Sequence, residues 1–276
     1  MRTGSIRFWP VLAVTASTNP VLDRVVEPPT TGVVHVGLAL VWIAAQVVAL
    51  LAGVWGVAVL FAVVGGVAGL QAARSWRALG IGANRMVAGW GPVTVTVLAV
   101  FGPTWAGVGL FAVAVTAIVV SAGSRSRGGP LAAAGATVRC ALGPGVVGIS
   151  LVLLFDTGWA AVAMLLILVA GYDLACWVWG GDDVGPYLSR VVGMITVMVL
   201  TLAASAVHTV FELDPFGPVA VVWVFGGLAA TLCPLGPMVG SLVLPSASAE
   251  APALRRIDVL MVAAPIWLAA MWGYLG

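Results

Sequence analysis

The chain predicts an all-α membrane protein, a polytopic bundle of about nine transmembrane helices, and three observations carry that expectation. Of its 276 residues, 62% are hydrophobic and only 8% charged, where a soluble domain carries about 25% charged residues. At a mean hydropathy of +1.14 there is too little polar surface to cover a water-soluble globule. Apolar runs of about 20 residues, the length that crosses a bilayer as a helix, recur between Arg, Gly, Pro and Asp. These runs are continuous rather than alternating, which argues against a transmembrane barrel.

Residues 1–32 read as an N-terminal interfacial segment and linker. Phe8 to Ala16 is too short to span, Asn19-Pro20 interrupts it, and Asp23, Arg24 and Glu27 follow. Arg2 and Arg7 suit lipid headgroups, and the short apolar run fits a cleaved signal peptide less well. Glu27-Pro-Pro-Thr-Thr-Gly32 then leads into a single transmembrane domain, residues 33–276.

Nine spans fill that domain. Val33 to Leu51 and Val54 to Leu70 make a hairpin across Gly53, followed by a loop with Arg74, Arg77 and Arg85. Met86 to Phe101 and Thr104 to Val120 make a second hairpin across Gly102-Pro103, followed by Arg125 and Arg127. Val138 to Phe155 and Trp159 to Trp179 turn at Asp156-Thr157-Gly158. Tyr187 to His208 runs to the acidic turn at Glu212 and Asp214. Val219 to Leu244 returns, broken by Pro234 and Pro237, and Ile257 to Leu275 closes the chain.

Charge supports the count. The twelve basic residues are all Arg. With a cytoplasmic N-terminus, Arg2, Arg7, Arg24, Arg74, Arg77, Arg85, Arg125, Arg127, Arg139, Arg190, Arg255 and Arg256 all fall on the cytoplasmic side of the cell (inner) membrane. The opposite turns carry only Asp156, Glu212 and Asp214, and the C-terminus lies on that far side. Without lysine, arginine supplies every fixed cation. Cys140, Cys176 and Cys233 lie far apart in apolar surroundings and read as packed thiols. Dispersed arginines form no basic patch for nucleic acid.

Asp173, Arg190 and Asp258 are not loop decoration. All lie in the cytoplasmic half of the late spans, where an ionisable group normally faces a cavity or a partner. Two carboxylates and a guanidinium at one depth could take a divalent cation and phosphate groups. Mutual pairing of Asp with Arg in a low dielectric accounts for the same spacing. Spacing alone favours the pairing, because no local motif specifies a metal. The last helix reads as starting at Ala253, which puts Arg255 and Arg256 at its mouth and Asp258 one turn inside, where it pairs with one of them or faces a polar cavity or a partner.

Three stretches carry a family resemblance: Asp173-Leu-Ala-Cys-Trp-Val-Trp-Gly180, Gly236-Pro-Met-Val-Gly-Ser-Leu-Val-Leu-Pro245, and Ala251-Pro-Ala-Leu-Arg-Arg-Ile-Asp-Val259 followed by Ala263-Ala-Pro-Ile-Trp267. The chain resembles the integral-membrane phosphatidate cytidylyltransferases, or CDP-diacylglycerol synthases, most clearly over residues 171–276. That resemblance implies a membrane enzyme of phospholipid metabolism using CTP, phosphatidic acid and a divalent metal such as Mg2+. Asp173, Gly236, Ser241, Arg256 and Asp258 agree with its pattern. Pro237, Gly240, Leu244 and Pro245 stand where it has Asp, Glu, Lys and Arg, and Arg255 stands where it has Asp. In place of its Lys-Asp pair is Pro245-Ser-Ala-Ser-Ala-Glu-Ala-Pro252, with Glu250 the only acid.

Those replacements remove metal ligands and charge-stabilising cations together, and nucleotidyl transfer depends on both. The expectation is therefore a cytidylyltransferase-like protein without turnover that binds an anionic lipid, phosphatidic acid among them, or a partner protein. In it Asp173 and Asp258 are the candidate catalytic and metal residues, and Arg190 and Arg256 bind the phosphate or lipid head. A second reading is a divergent metal-dependent lipid nucleotidyltransferase, for which CTP and Mg2+ would be required. A small-molecule transporter is a third, suited by the break at Pro234 and Pro237. A homodimer is compatible with each.

Overall fold

The computed structural model describes residues 33–179, 186–246, 249 and 251–276. The expected interfacial segment at residues 1–32 and Glu250 lie outside the described residues. Each of the nine apolar runs is helical, and no strand occurs among the described residues. The helices are α1 (Val33–Leu51), α2 (Val54–Ala78), α3 (Arg85–Ala99), α4 (Pro103–Ser121), α5 (Gly129–Thr157), α6 (Trp159–Trp179), α7 (Pro186–Phe211) and α8 (Val219–Leu232). A 3₁₀ turn (Cys233–Leu235), α9 (Gly236–Val243), the short α10 (Pro252–Arg255) and α11 (Asp258–Leu275) complete the chain.

The chain is thus an all-α, membrane-type bundle. Seven segments are long and apolar enough to cross a bilayer, with the shorter apolar stretch Ala39–Leu51 beside them. The expected third span is the exception. As α3 it has 15 residues, about 22 Å at 1.5 Å per residue, short of a ~30 Å hydrocarbon core.

Several boundaries move for identifiable reasons. Arg74 and Arg77, expected in a loop, continue α2 for two more turns. Arg85 opens α3 behind Asn84, whose side chain accepts the Val87 N–H at 3.0 Å as an N-cap. The span expected from Val138 starts at Gly129 and carries Arg139 within it. Asp156 and Thr157 belong to its last turn, and the chain reverses at Gly158, whose φ of 154° favours glycine. Pro234 and Pro237 do break the eighth run. The run from Ala253 to Trp267 is not one helix: α10 stops, Arg256 and Ile257 turn, and Asp258 begins α11. The acid therefore sits in a first helical turn, where the backbone dipole favours negative charge, and not a full turn inside the helix.

α5 is the hub, packing on α2, α3, α4, α6 and α11. Small residues allow that. A Cβ at Gly145 would lie 2.7 Å from Val95, and one at Gly91 2.9 Å from Ala141, so α3 and α5 approach almost backbone to backbone. α4 and α7 leave most of their side chains outward, the lipid-facing pattern. α11 closes the bundle between α5 and the α8–α9 pair.

Candidate functional site

The acids of the late helices, Asp173 and Asp258, lie where α6, the start of α7, the 3₁₀ turn, α9 and the head of α11 meet. On α6, Tyr172, Asp173 and Cys176 follow one another at helical spacing. The Cys176 Sγ donates to the Ser189 carbonyl of α7 at 3.4 Å. Gly193 of α7 allows this contact, since a Cβ there would lie 2.7 Å from the Tyr172 ring. Arg190 lies within electrostatic reach of Tyr172 and Cys176, on the flank of the cluster. Cys233, in the 3₁₀ turn, faces Tyr172, Asp173 and Cys176. All three cysteines are free.

Asp173 is half-buried and within electrostatic reach of both Asp258 and Arg256. The fold therefore brings together Asp173, Arg256 and Asp258, which are 83 or more positions apart or adjacent only across the α10–α11 turn. Asp258 is 5% exposed. Its Oδ1 accepts the Val259 backbone N–H at 2.7 Å. Its Oδ2 lies 3.9 Å from Nη1 of Arg255, an i,i+3 ion pair at the limit of contact. Arg255 thus pairs with the carboxylate.

α9 closes the other side of Asp258. Gly236 and Gly240, four residues apart, face the head of α11. A Cβ on Gly240 would lie 2.5 Å from the Cβ of Asp258, and one on Gly236 would run into the Val259 backbone. Position 240 therefore has no room for any side chain in this packing. Ser241 does not address the cluster: its hydroxyl donates to the Met238 carbonyl of its own helix at 2.6 Å.

Among the described residues, no three His, Cys, Asp or Glu side chains come together as a metal-binding group. Asp173 and Asp258 lie instead within electrostatic reach of each other and of the guanidinium groups of Arg256 and Arg255. Such an arrangement can hold an anion: arginine forks bind phosphate oxygens in bidentate fashion while acids orient them.

Sequence reasoning missed the roles of Gly240, Tyr172 and Cys176. The pairing of Asp258 with one of its two neighbouring arginines was among its readings, and the i,i+3 partner Arg255 is the one that makes it. Nothing local announced the approach of Gly240. Comparison of the chain with family models, curated proteins and solved structures gives no match.

Proposed function

We propose that this membrane protein is built like the phosphatidate cytidylyltransferases but recognises the phosphate of an anionic lipid head, phosphatidic acid being the type case, without nucleotidyl transfer. The observation that carries the reading is the contact of Gly240 with Asp258. In this reading Gly240 stands where the enzyme pattern has a Glu, its contact with Asp258 leaves no room for that side chain, and Arg255 takes the carboxylate that a cation would need. Arg256 is the phosphate ligand, held near Asp173, and Arg190 supplies charge from the flank. In this reading the arginine-bearing end faces the cytoplasm of the cell (inner) membrane, by the positive-inside rule. The C-terminus then lies on the opposite side.

Radiolabelled CTP with phosphatidic acid and Mg2+ in liposomes tests the loss of turnover, beside an Asp173→Asn control. Little or no CDP-diacylglycerol is expected. Robust product that the control abolishes would overturn the reading in favour of an active nucleotidyltransferase. Retention of phosphatidic acid over phosphatidylcholine by the purified protein tests recognition. Arg256→Gln is expected to lower that preference about tenfold, the worth of a charge-assisted hydrogen bond.

A further inference from the structure

A second feature lies along a flank of α9 turned away from Asp258. Between α2, α5 and α9 runs an open groove of about 440 Å³, within the ordinary size of a small-ligand site. Leu142, Val239 and Leu242 give it apolar walls, Gly143 lets Val243 pack closely at its floor, and Arg139 and Trp76 stand at its edge. We propose that this groove holds an acyl chain of an anionic membrane lipid whose phosphate is bound by Arg139.

Depth is the first argument. The part of α5 from Arg139 to its end at Thr157 measures about 27 Å, and α2 from Val54 to Trp76 about 33 Å, at 1.5 Å per residue. Both bracket the ~30 Å hydrocarbon core, so Arg139 and Trp76 sit where hydrocarbon gives way to headgroups. Tryptophan is favoured at that level. Here its indole N–H is already committed, donating to the Val243 carbonyl at 2.8 Å, which fixes the ring as a wall between α2 and α9.

Charge is the second. Arg139 is exposed and has no acidic partner among the described residues. An exposed guanidinium above an apolar trough matches a phosphate carried on a hydrocarbon chain. Val239 and Leu242 are 37% and 56% exposed, so the trough is open for a chain to enter from the bilayer. α9 stands between it and the Asp173–Asp258 cluster, with Gly236 and Gly240 turned to Asp258 and Val239 and Leu242 on the adjoining flank.

The test is photocrosslinking of the full chain in vesicles doped with phosphatidic acid or phosphatidylcholine bearing a diazirine in one acyl chain. Adduct positions distinguish this site from the cluster at Asp258. Adducts on Leu142, Val239 and Leu242 are expected, with phosphatidic acid preferred about tenfold over phosphatidylcholine. Arg139→Gln should abolish the preference and Arg139→Lys should restore part of it. Val239→Trp, which fills the trough and leaves Arg139 in place, should abolish the adducts. Equal adducts from both lipids, or a preference unchanged in Arg139→Gln, would overturn the proposal. So would displacement by soluble glycerol phosphate as effective as by lipid, which would make this a phosphate site. Protein–protein crosslinks in place of lipid adducts would assign the groove to a second copy of the chain.

Discussion

The two ends of the bundle are held together differently. At the end where the described arginines gather, distant segments meet through directional bonds to the backbone. Trp76 donates to Val243 O, Gln71 Oε1 accepts from Ala253 N at 2.9 Å, Asn84 N donates to Thr137 Oγ1 at 2.9 Å, and Arg127 N donates to Gly80 O at 3.0 Å. Toward the other end, rings dominate. Phe225 meets Trp267 at 5.0 Å, Phe216 at 5.9 Å and Tyr274 at 6.5 Å. Hydrogen bonds there, from Tyr274 to Phe216 O and between His208 and Gly217 O, brace the same aromatic group. Ring packing tolerates small rotations, whereas a hydrogen bond fixes one group against another. The end with the charged cluster is the one whose segments are fixed in register, as a binding site requires.

The largest effect that sharpens this contrast is expected at the aromatic end. Trp267 is fully buried, and Trp267→Ala should cost about 3–5 kcal/mol through lost contacts and the cavity left behind. Trp267→Phe should cost much less, because the indole nitrogen is buried with no partner among the described residues. Thermal unfolding in detergent measures both. Equal losses for Ala and Phe would mean that the indole N–H, rather than ring volume, stabilises this end.

A middle-sized effect separates the ends by glycine. Gly240→Ala should cost about 1–3 kcal/mol by overpacking α9 against α11. Gly273→Ala, which faces open space toward the other end, should cost nothing and gain up to ~1 kcal/mol of helix propensity. If Gly240→Ala melts like the parent, α9 can move away from Asp258 and the site is less closed than its packing implies.

The smallest effects concern polar joints. Gln71→Leu leaves the Ala253 N–H without its partner and should cost about 1 kcal/mol. Arg255→Gln should cost no more than that, since the pair with Asp258 is long and Arg255 is partly exposed. A loss from Arg255→Gln larger than from Gln71→Leu would show that the ion pair, not the backbone bonds, sets the register of this end.

Much of the fold was legible because bilayer physics is local. Twenty apolar residues in a row cross as a helix whatever surrounds them. Gly53 and Gly102 mark the hairpin turns because both adopt positive φ. Pro234 and Pro237 interrupt their span because proline cannot continue a hydrogen-bonded helix. Helix ends were less legible. Arg74, Arg77 and Arg139 are helical because a backbone leaving the hydrocarbon gains nothing by unwinding while neighbours still pack on it. Arginine marks the headgroup level, not the end of a helix.

The site divides along the same line. That Asp173, Asp258, Arg190 and Arg256 lie toward one end of the bundle followed from their positions along apolar runs, so the sequence determined the class, the approximate spans and the end at which charge collects. Tertiary structure alone decided that Asp173 comes within reach of Asp258, that Gly240 seats against that acid, and that Arg139 and Trp76 flank a separate trough. Depth is a property of one helix and its hydropathy. Which faces meet depends on how helices from distant parts of the chain cross, and small residues such as Gly236 and Gly240 permit close approach without saying to what.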